Sequence, residues 1–428
     1  MINLYAHQEQ VLADTACQNK VAYYLDMGLG KTFIGSEKIK QLNSPVNLVV
    51  CQKSKVQDWV DHFVDHGYES QFKMIYDCTK WDKADWKALE ENPLEPCVMV
   101  INYDLIYRRS YFAHMTGFTM MLDESSIIQN ETAKRSKFIL SMKPDNVILL
   151  SGTPTAGKYE RLWSQLHLLG WGISKKRFWS QYVDVDWVEV DSSGFKIQVV
   201  VGYKNVDRLK RKLAQHGAVF MKSDEAFDLP EQIDVPVRIQ TTSEYKKFMK
   251  DSYIQVEGHE LIGDTRLTKR LYARQLCGQY CRAKLEAFED LVESTGDSLI
   301  VFYNFNEELY ALEGIVKRLE IQSYQVNGSR KEDKLFKSFL DRAVLFVQYQ
   351  AGAMGLNLQE KANKAIYFTL TDKSELYEQS KKRIHRIEQD KTCYYYHLIC
   401  TGSVEEKVLE TLKMRKDYTD ALFEKDFE

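Results

Sequence analysis

Tyr23-Tyr24-Leu25-Asp26-Met27-Gly28-Leu29-Gly30-Lys31-Thr32 is the stretch on which the fold turns. It follows a short apolar run and precedes a helix-like segment from Phe33 to Gln41. That is the strand–loop–helix setting a phosphate-binding loop requires. Gly28 and Gly30 let backbone N–H groups turn inward around phosphate oxygens with no Cβ in the way. Lys31 can then reach β- and γ-phosphates, and the Thr32 hydroxyl can hold Mg²⁺. Leu25 stands where the full G-x-x-x-x-G-K-[ST] pattern has its first glycine, so taken alone the stretch also reads as a glycine turn before a helix.

Two more strand ends carry chemistry. Thr119-Met120-Met121-Leu122 runs into Asp123-Glu124-Ser125-Ser126. Adjacent carboxylates at a strand end point in different directions, so Asp123 can hold Mg²⁺ while Glu124 accepts a proton from an attacking water. A solvated turn is the plainer reading of the same residues. The run Val147–Leu150 ends in Ser151-Gly152-Thr153-Pro154, which by itself is an ordinary turn. Three such motifs in order point to an open α/β sheet, whose ligands sit at the carboxyl ends of the strands.

The chain has 428 residues, enough for two or three domains, with 44% hydrophobic and 28% charged residues. These are the proportions of an ordinary globular protein. No run of 18 apolar residues suggests a membrane span, and the N-terminus lacks the pattern of a secretion signal. Eight scattered cysteines fit a reducing, cytoplasmic setting. Cys277/Cys281 and Asp61-His62…Asp65-His66 have metal-like spacing without a matching second half, which favours packing and solvated faces. A net charge of −3 excludes a chain coated in basic residues but leaves room for a local basic groove.

All seven tryptophans and all seven prolines lie within the first 236 residues, which suggests two lobes of different make-up. Strand-like runs at 46–51, 97–101, 119–122 and 147–150 alternate with helical stretches and read as a parallel sheet. Val185–Val190 and Phe195–Val201, flanking Asp191-Ser-Ser-Gly194, read as a β-hairpin. From Val206 to about Gly296 the pattern reads as charged and helical, interrupted near Leu229-Pro230. A second series of strands follows at 298–303, 322–326, 344–348, 365–369 and 393–399, and the tail Glu424–Glu428 reads as a frayed end. In this second series, Gln379-Ser-Lys-Lys-Arg383-Ile-His385-Arg386-Ile-Glu-Gln389 is expected on one helix, with Arg383 and Arg386 on one face. Two guanidiniums there suit a γ-phosphate in transfer, or a nucleic acid backbone. The turn Ala351-Gly352-Ala-Met-Gly355-Leu-Asn357-Leu358 is small enough to approach a ligand closely.

Together these motifs resemble the superfamily 2 helicases, and among them the Swi/Snf-type ATPases. Leu4-Tyr-Ala-His7-Gln8 is similar to the family's opening element, Met27–Thr32 to its MGLGKT loop, Asp123-Glu124 to motif II and Ser151–Pro154 to motif III. Leu162-Trp163-Ser164…Leu166-His167 resembles the stretch that follows, Gly355–Leu358 motif V, and Gln379 to Gln389 motif VI. Three positions depart: Asp123-Glu-Ser-Ser126 replaces DEAH, Thr371-Asp-Lys373 stands near the missing WNP, and Glu388 replaces a glycine.

The resemblance implies an α/β fold of two RecA-like lobes with parallel sheets. It divides into an ATP-binding lobe over 1–222 with helical and hairpin insertions, a helical linker or protrusion over 223–282, and a second lobe over 283–428. It implies ATP held by Gln8, Gly28, Gly30, Lys31, Thr32, Gly355 and Gln379, and Mg²⁺ held by Thr32 and Asp123. Catalysis falls to Lys31, Asp123, Glu124, Arg383 and Arg386, and coupling to Ser151 and Thr153. Nucleic acid is expected at Lys53, Ser54, Lys55, Asn102, Tyr103 and Gly352. The expected activity is ATP-driven translocation on duplex or branched DNA, alongside single-strand-binding or replication proteins. A strand-separating helicase and an ATP-gated clamp that seldom hydrolyses are the alternatives.

Overall fold

The computed structural model describes residues 3–82, 84–87, 96–189, 196–352 and 356–423, with side chains up to residue 417. Gly355, the turn Asp191–Gly194 and the tail from Glu424 lie outside the described residues. The chain divides into two units, Met1–Ala226 and Phe227–Asp417.

The first unit contains β1 Lys20–Leu25, β2 Val46–Cys51, β3 Met74–Asp77, β4 Cys97–Asn102, β5 Phe118–Asp123, β6 Asn146–Ser151, β7 Val183–Glu189, β8 Lys196–Tyr203 and β9 Ala218–Met221. Seven of these form a parallel sheet in the order β3-β4-β2-β5-β6-β1-β9. Strands β2 and β4 are buried along their whole length, as continuous Val/Ile/Leu-rich runs must be when helices cover both faces. Register aligns the motifs: Tyr24 lies opposite Ser151, and Asp123 opposite Leu150. The three chemistry-bearing strands therefore end at one edge of the sheet. β7 and β8 pair as the expected hairpin.

The second unit contains β10 Gln232–Gln240, β11 Tyr253–Val256, β12 His259–Ile262, β13 Leu299–Tyr303, β14 Gln322–Val326, β15 Ala343–Gln348, β16 Lys364–Tyr367 and β17 Cys393–Thr401. Its parallel sheet runs β10-β17-β16-β13-β15-β14. The five strands expected from Ser298 onward are all present.

The stretch expected to be charged and helical from Val206 to Gly296 instead carries β9 to β12 among its helices. β10 escapes a reading based on apolar runs because it is an edge strand. Its residues alternate between exposed and half-buried, with Asp234 and Arg238 in the ladder. Pro236 is tolerated there because an edge strand has one side without a partner. Among the described residues no helix is long and apolar enough to cross a membrane.

Candidate active site

The glycine-broken loop joins β1 to the helix Lys31–Leu42. Gly28 and Gly30 have φ of 91° and 69°, a region L-residues enter at a cost. A Cβ on Gly30 would also collide with Gln8 Nε2. Gln8 is buried against the loop: its Oε1 accepts from Tyr5 N at 2.9 Å and its Nε2 donates to Leu29 O at 3.3 Å. Gly35 brings the helix onto the sheet, since a Cβ there would stand 2.7 Å from Met121 Sδ. Lys31 Nζ donates to the carbonyls of Leu25 (2.8 Å) and Asp26 (3.0 Å). The loop is braced from its other side by Ser223, whose hydroxyl donates to Asp26 Oδ2 and Met27 O, each at 3.1 Å.

The other two strand ends come to this loop. A Cβ on Gly152 would lie 3.5 Å from both Lys31 Nζ and Leu25 O, so the Ser151–Pro154 backbone flanks the phosphate lysine. Ser151 Oγ donates to Glu124 Oε2 at 3.4 Å and accepts from Thr153 N at 3.2 Å. Glu124 itself sits at φ 54°, left-handed backbone that a non-glycine residue keeps only when its surroundings hold it there. Asp123 Oδ2 accepts from Trp59 Nε1 at 2.8 Å, and its carbonyl accepts from Tyr103 OH at 2.8 Å. Burial pushes the Asp123 carboxyl above its ordinary range, against the Trp59 N–H and the charges of Lys31 and Lys55.

A buried carboxamide ties the three motifs together. Gln165 Oε1 accepts from Tyr24 OH at 2.9 Å and Ser125 Oγ at 2.8 Å, and its Nε2 donates to Pro154 O at 2.8 Å. Sequence reading missed Gln165, Trp59 and Ser223. None of the three left a distinct signal, since Gln165 stands with Ser164 and His167 among the leucines of Leu162–Leu169.

Of the residues read as nucleic-acid contacts, Lys53 and Ser54 are exposed, and Lys55 is paired with Asp58 at 2.7 Å. Asn102 is buried and caps the helix Tyr103–Ile106, accepting from Asp104 N and Leu105 N at 3.0 Å. Tyr103 is buried under Asp123. Lys53, Ser54, Tyr103, Asp104, Ile127 and Arg135 line one groove of about 590 Å³. Gly352 is buried in the second unit, where a Cβ would stand 2.8 Å from Val347 Cγ1.

The expected helix carrying both arginines is shorter than the sequence suggests. It spans Ser374–Lys381 and includes Gln379, while Arg383 and Arg386 lie in the turns beyond it. Gln389 holds those turns by donating to the carbonyls of Gln359, Ala362 and Ile384. Glu388, at φ 74°, reverses the chain where a helix would continue. Arg383 O accepts from Leu358 N at 3.1 Å, and Arg386 donates to Leu356 O and Asn357 Oδ1. Motifs V and VI are therefore joined within the second unit.

The metal-like spacings resolve into packing. His62 is buried, with Nε2 3.0 Å from Ser36 Oγ, and burial lowers its pKa to about 4, with the neighbouring His66 adding to the shift. Cys277, Cys400 and Glu405 gather in one buried cluster, but both Glu405 oxygens bind the Lys284 ammonium, at 2.6 and 2.8 Å. Thr32 and Asp123 offer the hard oxygen donors that suit Mg²⁺. With the open glycine loop and Lys31, the first unit fits a metal-bound nucleoside triphosphate.

Two family profiles match this chain. The SNF2-related domain profile matches residues 20–281, and the helicase conserved C-terminal domain matches 283–388. The Saccharomyces cerevisiae ISWI chromatin-remodeling complex ATPase ISW1 is 24% identical over 94% of this chain and 39% of its own length. Human chromodomain-helicase-DNA-binding protein 1 is 22% identical over 94% of this chain and 26% of its own length. The chain thus spans less than half the length of these curated relatives. A solved structure, the Sulfolobus solfataricus SWI2/SNF2 ATPase core in complex with dsDNA, overlays with a TM-score of 0.46 at 20% identity. That overlay covers 98% of this chain and 92% of the other. With more than half its residues inside the first profile and the second following directly, the chain belongs to the SNF2-related family of superfamily 2 ATPases.

Proposed function

We propose that the protein is an ATP-dependent translocase on double-stranded or branched DNA. The observation that carries the reading is the meeting of three strand-end motifs at one sheet edge, with the Gly152 backbone beside Lys31 Nζ and Ser151 beside Glu124. Lys31 and the loop N–H groups bind the phosphates, and Thr32 and Asp123 hold Mg²⁺, whose charge offsets that of the β- and γ-phosphates. Glu124 accepts the proton of the attacking water. Arg383 and Arg386 are assigned to the charge developing on the γ-phosphate, a role worth about 10³–10⁵ in rate where an arginine supplies it. The exposed Lys53 and Ser54 and the groove they share with Arg135 support backbone contacts with DNA, which predicts strong salt dependence and weak sequence preference.

Steady-state ATP hydrolysis at low salt tests this, with no nucleic acid, single-stranded DNA, duplex, a branched fork and RNA, and with Lys31→Ala as the blank. Stimulation chiefly by duplex or fork is expected. Glu124→Gln is expected to bind ATP and lose turnover; normal turnover would remove Glu124 as the base. No turnover with any of these nucleic acids would leave the clamp reading or a missing partner.

The hairpin supports a strand-separating helicase as the second reading. Its Val188, Ile197, Val199 and Val201 are exposed, as is Trp187 at 61%. On that reading Trp187→Ala abolishes unwinding and spares ATPase; on the translocase reading no unwinding occurs in either protein.

A further inference from the structure

Two hydrogen bonds reach Asp123 from the two segments assigned to nucleic acid. Trp59 lies in the helix Val56–Asp65, which continues the Lys53–Lys55 turn with no residue between them. Its Nε1 donates to Asp123 Oδ2 at 2.8 Å. Tyr103 opens the short helix capped by Asn102, and its hydroxyl donates to the Asp123 carbonyl at 2.8 Å. Trp59 is 3% exposed and Tyr103 2%, so both side chains reach inward from their segments.

The groove is built from these same segments. Lys53 and Ser54 come from the first, Tyr103 and Asp104 from the second, and Ile127 from the turn directly after Asp123-Glu124. A backbone that settled between Lys53 and Arg135 would bear on both segments at once. Each segment transmits through one rigid aromatic side chain to one residue. The Trp59 ring is wedged against His62 and Phe63, with centroids 5.8 and 5.9 Å apart, so a shift of its helix carries the indole N–H with it. A hydrogen bond to a carboxylate is strong and steep in geometry, which makes a small shift count.

We infer that Trp59 and Tyr103 are positioning residues that couple occupancy of this groove by a nucleic acid backbone to the orientation of the Asp123 carboxylate. The inference rests on the translocase reading. It offers a route by which two segments with no residue assigned to the ATP phosphates can set the rate of ATP hydrolysis.

Tyr103→Phe keeps the ring and deletes only the hydroxyl donor, while Trp59→Phe deletes the indole N–H together with part of the buried ring system, so thermal unfolding separates lost packing from the lost donor. ATP turnover is measured with and without saturating duplex across a Mg²⁺ titration, with duplex binding followed by anisotropy and folding by thermal unfolding. In both variants the ratio of stimulated to basal turnover is expected to fall about tenfold, equivalent to about 1.4 kcal/mol. The Mg²⁺ needed for half-maximal turnover rises in Trp59→Phe, while duplex affinity stays within about twofold, because no groove-lining charge is removed. An unchanged ratio in both variants overturns the inference. So does an equal loss of basal and stimulated turnover, the mark of a merely structural role. If the unmutated protein is not stimulated by any nucleic acid, the translocase reading falls first and this inference with it.

Discussion

Removing the charge of Lys284 tests how the second unit holds its interior together. Lys284 and Glu405 have side chains 0% and 4% exposed, and the ammonium bridges both carboxylate oxygens at 2.6 and 2.8 Å. Glu405 Oε2 also accepts from Cys400 N at 2.9 Å, so the pair joins the helix Arg282–Glu293, strand β17 and the helix Val404–Phe423. In Lys284→Met the carboxylate stays buried with one backbone N–H for company. Breaking a buried pair in this way costs about 3–5 kcal/mol, a large part of the ~5–15 kcal/mol that holds a domain folded. The double variant Lys284→Met/Glu405→Leu removes both charges and is expected to recover most of that loss, since well-packed apolar replacements of a buried pair are often neutral. Burial disfavours the ammonium, yet the Glu405 charge leads the interactions that raise the Lys284 pKa above 10.5. Its contribution is complete below that pH and fades only as pH climbs through the higher folded value, so the effect should be flat from pH 6 to 9. The assay is urea unfolding with two probes. All tryptophans lie in the first unit, so their emission reports that unit while far-UV circular dichroism reports both. The Lys284→Met transition should move in circular dichroism with little change in tryptophan emission. A double variant as unstable as the single would refute the reasoning, because the loss would then belong to packing and not to the stranded charge.

Glu388→Gly should stabilise the second unit by ~0.5–1 kcal/mol in thermal unfolding, since glycine accepts the φ of 74° freely. Gly30→Ala should abolish binding of a fluorescent ATP analogue, because the new Cβ collides with Gln8; pairing it with Gln8→Ala should restore part of the binding. Acid should weaken the first unit. Buried His62, with a folded pKa of about 4, stays neutral while the unfolded chain takes up a proton near 6.5, so stability falls between pH 6.5 and 4, by at most ~3 kcal/mol. In the second unit His397, also about 4 through burial, gives the same slope, while Glu308, pushed up to about 7 chiefly by burial, gives the opposite one between pH 4.5 and 7. The second unit should therefore be nearly flat in pH, and Glu308→Gln should uncover the histidine slope.

The sheets were legible because their central strands are short, dominantly apolar runs, as in Val46–Cys51, broken only by Asn47, and Leu299–Tyr303. The ends of β1, β5 and β6 were legible because their chemistry sits on consecutive residues. What the sequence hid depends on partners far along the chain. β10 looks like a polar linker until β17, about 160 residues later, supplies its ladder. Trp59 reads as one more aromatic on an amphipathic helix, and only the fold brings its N–H to Asp123, 64 positions away. The helix expected to carry Arg383 and Arg386 failed for a related reason. Local spacing favoured it, but the Gln389 carboxamide takes three carbonyls, two of them distant in sequence, and draws the chain into turns.

One departure from the family pattern, at Ser125, falls where the structure offers a substitute. In Asp123-Glu-Ser-Ser126 the third position is not idle, because the Ser125 hydroxyl donates to Gln165 at 2.8 Å. Gln165 in turn donates to the Pro154 carbonyl at 2.8 Å, so motif II reaches motif III through one carboxamide. Tyr24 donates to the same oxygen, which adds the strand that feeds the phosphate loop. All three partners are buried, and a half-satisfied network of this kind would cost more than an apolar core. A change at Ser125 would leave Gln165 Oε1 with Tyr24 alone, and a change at Gln165 would strand two hydroxyls and leave the Pro154 carbonyl only the longer bond from Gln129 Nε2, at 3.3 Å. Altering one residue therefore requires altering the others. This interdependence accounts for Ser125 beside the retained Asp123-Glu124: its hydroxyl serves the Gln165 carboxamide.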